Sequence, residues 1–250
     1  MFRRRPSHFL DPDAEAWQIE CWEWLLRHRS SREASQETSL VTPSAAFFPP
    51  LGTLQGHERA SAILSNVQSL CGLQHWPVEL TLQRDSSDLA GGALIHDERP
   101  CAGTFRFETD GTVSISYDPA LLARPESLIA TFAHELGHYF HADFEDLPPG
   151  GEALIEPATD VTAAYFGFGI FGANSCFAHE NDGQFYRVGK SGYLSEGEWI
   201  FSLAIFLTLR DIAAGEAKAH LKPHLRKQLD KAVSYLQAST LTDPLLKVLQ

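Results

Sequence analysis

The sequence predicts an α+β fold, predominantly helical, with a small antiparallel sheet packed against one central helix. Two features carry this reading. Apolar residues recur at helical spacing in several long segments, and two short stretches alternate polar and apolar residues on either side of a turn. Proline–glycine clusters separate these segments, giving helices arranged around a small sheet.

The elements follow in chain order. Asp11–His28 brings Trp17, Cys21, Trp24 and Leu25 onto one helical face, where the tryptophans read as core anchors. Ser30–Gly56 is rich in Ser, Thr and Pro and reads as a long loop. Helical spacing resumes over His57–Cys71, and Val78–Leu82 suits a short strand. Gly103–Phe107 and Thr112–Tyr117 alternate, and Glu108–Gly111 supplies the turn of a β-hairpin. Pro125 and Glu126 open a helix that runs to about Phe140, since proline is tolerated in a first turn and an acid suits the positive end. Pro148-Pro149-Gly150-Gly151 breaks the chain, and a second apolar helix starts near Glu152. Asn174–Gly192 is turn-rich, and Glu196–Ala213 and about Glu216–Gln237 read as two further helices. Residues 1–56 thus form an N-terminal helix and loop, 57–195 the core, and 196–250 C-terminal helices packed on it, in a single globular unit.

Composition narrows the function. The chain has 250 residues and a formal net charge of −12, which repels phosphate backbones and anionic lipid, so neither nucleic acid nor membrane is an expected partner. The arginines of Met1–Pro6 and the basic stretch His220–Lys231 read as a solvated tail and a solvated helix face. The four cysteines include no CxxC pair, so neither a zinc ribbon nor a dense disulfide framework is indicated. Pro6, Ser7, His8 and Asp11 stand where a signal peptide needs apolar residues. Val161–Phe171 is apolar but falls well short of the roughly 20 residues that span a bilayer. The expectation is a cytoplasmic protein. Gly167, Gly169 and Gly172 follow no strand and no GKS/T is present, so close helix packing explains them better than a phosphate loop.

The chemistry is concentrated in His134-Glu135-Leu136-Gly137-His138, an HExxH motif inside the central helix. Residues four apart share a helix face, so both imidazoles can address one metal ion with Glu135 alongside as general base. In a chain of 250 residues with 11 histidines, accident produces roughly 0.03 such matches. Two histidines do not complete a catalytic zinc site; a third ligand is needed. Three candidates compete. Position 144, which a metzincin would fill with histidine, holds Phe144. His141 lies roughly 10 Å along the helix from His134, too far to close on the same ion, and reads as a rim or outer residue. Glu156 and Asp160, four apart on the next helix, are the favoured pair, with Glu156 as ligand and Asp160 accepting the second N–H of a liganding histidine. Pro157 fits this site if its helix begins near Glu152, so that Pro157 lies in the first turn or at a tolerated kink.

His134–His138 followed by Glu156 and Asp160 resembles the gluzincin pattern of thermolysin-like peptidases. The stretch Ser114-Ile-Ser-Tyr-Asp-Pro-Ala-Leu, Glu126 and Phe132-Ala-His-Glu-Leu-Gly-His-Tyr looks most like the minimal ImmA/IrrE-type metallopeptidases, over about residues 104–171. The resemblance implies a peptide-bond hydrolase with Zn2+ on His134, His138 and Glu156 and Glu135 as base. Its substrate would be a peptide or protein. No DNA-reading helix-turn-helix is evident, so a regulatory role on DNA does not transfer.

A tetrahedral intermediate needs a second electrophile, for which His179, Tyr186 and Tyr193 are candidates. Tyr165, on the opposite helix face from Glu156, reads as core. Thr112, Val113, Ser114, Ile115 and Ser116 are the expected substrate strand, provided that it is the edge of the sheet and is not covered by Ser30–Gly56. A metal-containing regulatory or binding protein without proteolysis is the alternative, and a structural protein with an accidental motif the third reading.

Overall fold

The computed structural model describes residues 8–28, 38–83, 102–180 and 194–249, with backbone alone at 177–180. Its first helix, α1 (Pro12–His28), buries Cys21, Trp22, Trp24 and Leu25. Its tryptophans do more than fill space. Trp17 Nε1 donates to Pro149 O at 2.8 Å, and Trp24 Nε1 donates to Asp146 Oδ1 at 3.0 Å. Both therefore tie down the turn that separates the two helices of the candidate site. Next comes α2 (Gly56–Leu70), which covers the core with Ala60, Ile63, Leu64 and Val67.

Three strands follow: β1 (Glu79–Leu82), β2 (Gly103–Phe107) and β3 (Val113–Tyr117). The expected hairpin is present, with β2 antiparallel to β3 and Gly103 opposite Tyr117. Its turn closes through Glu108 N–H to Thr112 O at 2.8 Å, and Gly111 takes φ 86°, a conformation that glycine adopts without a Cβ penalty. β1 joins β3 in parallel, Glu79 opposite Ser114, so the sheet is mixed and its order is β1-β3-β2. This arrangement corrects the reading of Thr112–Ser116 as an edge. β3 is the middle strand, its backbone is paired on both sides, and no extended peptide can add to it.

Asp118 accepts from Ala120 N–H at 2.8 Å and starts a short 3-10 turn, Pro119–Ala123, that delivers the chain to α3 (Pro125–His141). This helix is buried along Ser127–Gly137 and lies against the sheet, the Phe132 ring meeting that of Tyr117 edge-on at 5.9 Å. After a 3-10 turn at Gly151–Leu154 comes α4 (Ile155–Ala163). Pro157 is its third residue, in the first turn, where no helical N–H is required.

A π-type turn, Ala164–Phe168, then bends the chain into α5 (Gly169–Glu180). Gly167 at the bend has φ 91°, and its carbonyl accepts from Val41 N–H at 3.1 Å. The described part of the loop expected over Ser30–Gly56 is thereby anchored at this bend. A Cβ on Gly172 would run into the Trp199 ring and one on Gly169 would lie 3.1 Å from Leu203, so close helix packing accounts for these two glycines, while Gly167 serves the bend. The turn-rich reading of Asn174–Gly192 is corrected in its first part, because α5 continues to Glu180.

α6 (Glu196–Leu209) begins with a capping box in which Ser195 and Glu198 bond each other's backbone. The expected last helix is divided into α7 (Ala214–Lys218) and α8 (Pro223–Ala238), since Pro223 lacks the N–H needed mid-helix and starts a new one; α9 (Asp243–Val248) ends the chain's structure. One hydrophobic cluster runs from α1 residues to Leu245 and includes the buried Tyr165. Cys21 is a buried free cysteine. No described helix is long and apolar enough to cross a membrane.

Candidate metal centre

The two helices α3 and α4 approach closely because of one glycine inside the motif. A Cβ on Gly137 would lie 2.9 Å from Thr159 Cγ2, so only glycine lets α4 sit this near. The approach brings His134, His138 and Glu156 together, the one group of potential metal ligands found among the described residues. His134 is buried, and the Glu156 carboxylate is about half exposed at 48%.

The donor atoms converge on a point. His134 Nε2 lies 3.2 Å from His138 Nε2 and 3.1 Å from Glu156 Oε2, and His138 Nε2 is 3.5 Å from that same oxygen. A tetrahedral ion with bonds of about 2.0–2.1 Å separates its ligands by about 3.3 Å, so the three distances bracket the value such an ion requires. The tautomers agree. His134 Nδ1 is 2.8 Å from Asp160 Oδ1, and a carboxylate there draws the proton to Nδ1. The Nε2 lone pair is left facing a second imidazole nitrogen and a carboxylate oxygen. Lone pairs at such distances repel unless a cation lies among them, and a metal ion or a proton satisfies the requirement. With a proton alone, burial disfavours an imidazolium at His134, yet the hydrogen bonds to Asp160 and Glu156 outweigh burial and hold its pKa well above the usual histidine value. The same contacts with His134 and His138 hold Glu156 well below the usual carboxylate range. Metal binding therefore displaces a proton from this site.

Glu135 is buried beside the ligands. Burial raises its pKa, against the opposing influence of His134 and His138. Among the described residues no donor bonds its carboxylate, which leaves both oxygens for a water molecule. That carboxylate is next to β2: a Cβ on Gly103 would lie 2.9 Å from Glu135 Oε1 and 2.7 Å from Thr131 Cγ2.

Asp160 is buried and doubly engaged. Its Oδ1 orients His134 and its Oδ2 accepts Leu194 N–H at 2.8 Å, which ties the chain entering α6 to α3 and α4. Asp160→Asn is expected to weaken metal affinity by about 10–100-fold, as loss of such an outer partner does. Competition against a chromogenic chelator measures this, and unchanged affinity would remove Asp160 from the site.

Thr159, Gly103 and Leu194 are the residues that sequence reasoning missed. Thr159 Oγ1 donates to Ile155 O at 2.8 Å and turns its lone pairs toward His138 Nδ1, 3.4 Å away. It stands to His138 as Asp160 stands to His134. Its position three residues after Glu156 was the available signal.

His141 is no rim residue. It is inserted between helices, with Nε2 2.6 Å from Thr162 Oγ1 and its ring edge-on to Trp24 at 4.8 Å. Burial, aided by the nearby His138 and His134, drives its pKa down to about 3. The folded protein therefore refuses a proton that the unfolded chain accepts below about pH 6.5. The resulting stability is intact above that pH and is lost as pH falls from there toward 3. One proton gives a slope of about 1.4 kcal/mol per pH unit. Urea titrations between pH 6.5 and 4.5 are expected to show a shallower acid decline for His141→Phe than for the parent chain; parallel declines would contradict it.

Of the expected electrophiles, Tyr186 and Tyr193 lie outside the described residues. His179 lies in the last turn of α5, and its side chain is likewise outside them. Compared with known family models, with curated proteins and with solved structures, the chain matches none.

Proposed function

We propose that this protein is a zinc-dependent hydrolase that cleaves peptide bonds, with His134, His138 and Glu156 holding the metal and Glu135 as general base. The convergence of three lone pairs at 3.1–3.5 Å beside a buried carboxylate carries the reading. Two imidazoles and one carboxylate suit zinc and leave a position open, as catalytic sites require. A zinc ion bound there supplies Lewis acidity, which acidifies water and polarises a carbonyl.

The chain's own residues do the rest. The Glu135 carboxylate takes a proton from the attacking water and passes it to the leaving amine. Asp160 keeps the His134 proton on Nδ1, and Thr159 does the same for His138. Tyr193 is our preferred candidate to stabilise the developing oxyanion, ahead of His179 and Tyr186. It directly precedes Leu194, whose N–H is held by Asp160. Since β3 is paired on both sides, an extended substrate adds instead to β2, whose outer edge has no partner among the described residues.

The test is a mixed peptide library incubated with the zinc-loaded protein and read by mass spectrometry. Cleavage at internal peptide bonds, abolished by a chelator and restored by zinc, is expected. A metal-loaded protein that cleaves no peptide is a binding or regulatory protein of the same fold.

A further inference from the structure

The face of β2 that looks toward α3 carries Gly103, Phe105 and Phe107, since alternate residues of a strand share a face. Each meets a different part of the candidate site. Gly103 is against Glu135. The Phe105 ring lies nearly parallel to the imidazole of the metal ligand His138, with centroids 6.1 Å apart. Phe107 meets Tyr139 edge-on at 6.3 Å, and Phe105 and Phe107 meet each other at 5.1 Å. Tyr139 is itself held in place: Trp76 packs on it edge-on at 4.6 Å, and its hydroxyl donates to Pro77 O at 3.4 Å. The result is a rigid aromatic wall that begins at a metal ligand and runs outward along the strand. At its outer end Phe107 is 59% exposed, the most exposed large hydrophobic side chain among the described residues.

From this wall we infer the substrate class, resting on the hydrolase reading above. The site selects peptides with an aromatic or large aliphatic side chain one or two residues from the scissile bond. The strand spacing explains why. A peptide paired along the outer edge of β2 points every second side chain to the same face as Phe105 and Phe107. A residue opposite Phe107 has its Cβ about 5 Å from that of Phe107, within reach of its ring. An apolar side chain there is removed from water against the exposed Phe107 ring, which Tyr139 backs from the inner side, while a charged one loses hydration and finds no partner on the wall. Gly103, with no side chain, keeps the strand open next to Glu135, where the scissile bond belongs.

The probes are short alanine peptides carrying a hydroxamate at one end or the other, with one internal residue varied among Phe, Ala and Glu. The two placements sample both directions along β2. Binding to zinc-loaded protein is measured by calorimetry, which requires no turnover. In one of the two series the Phe peptide is expected to bind about tenfold or more tighter than the Ala peptide, with Glu weakest. Phe107→Ser, at an exposed position, is expected to keep stoichiometric zinc and to bring the Phe-to-Ala ratio toward one. Hydroxamates that bind without regard to the varied residue, or a ratio unchanged in Phe107→Ser, overturn the wall and leave the hydrolase reading standing. If no hydroxamate of either series binds the zinc-loaded protein, the peptidase reading falls and the wall falls with it.

Discussion

Glu135→Gln is expected to lower peptide hydrolysis by about 10²–10⁴-fold while metal content stays at about one ion per chain. The amide has nearly the shape of the carboxylate and occupies the same buried space beside Gly103. It cannot accept the proton that water must release. The effect is therefore on kcat, and the metal-binding residues, none of which is Glu135, are left as they were. Elemental analysis together with rates on a cleaved library peptide checks both halves. Near-normal turnover would mean that another group activates the water. Loss of metal would mean that Glu135 supports the ligands and is not free to act as base.

His138→Ala is expected to take metal content from about one ion per chain to near zero. His138 Nε2 is within 3.2 Å of one partner donor and 3.5 Å of the other, and its removal leaves His134 and Glu156 as a two-ligand remnant. Two ligands do not hold a catalytic ion against dilution or a chelator. A ligand that binds only the folded state adds stability by mass action, about 4 kcal/mol when present at a thousand times its dissociation constant. The parent protein should therefore show a Tm that falls on adding a chelator, and His138→Ala should show a Tm indifferent to it. Stoichiometric zinc in this variant would place the metal elsewhere in the chain.

The parts of this site that lie within one helix could be read from residue spacing. His134 and His138 share a face because a helix turns every 3.6 residues, whatever surrounds it. Glu156 and Asp160 share a face for the same reason, and Pro157 marks a first turn because proline has no N–H to give. The start at Pro125 was legible from its proline, whereas the equally plain break at Pro223 was read through, because the apolar spacing continues on both sides of it. Where helices follow one another without a strong breaker, spacing alone did not separate them. The bend at Gly167 depends on a carbonyl that Val41 reaches from far away in the chain.

What the sequence by itself determined is therefore local: the helical class, the hairpin, the motif and the pair of acids on the helix after it. Tertiary structure alone decided that Val113–Tyr117 is the middle strand. The alternation of Thr112–Tyr117 is the same whether one or both of its backbone edges are paired. The parallel partner Glu79–Leu82 comes from the other side of a long connection, and nothing in either strand names the other. The same holds for Thr159 beside His138 and for Gly103 beside Glu135. Hydrogen bonding and close packing are set by which backbones approach, and a threonine or a glycine is too common to announce its partner. The approach of α3 and α4 at Gly137 makes the candidate metal site, because it converts two separate one-helix patterns into three lone pairs that face one point.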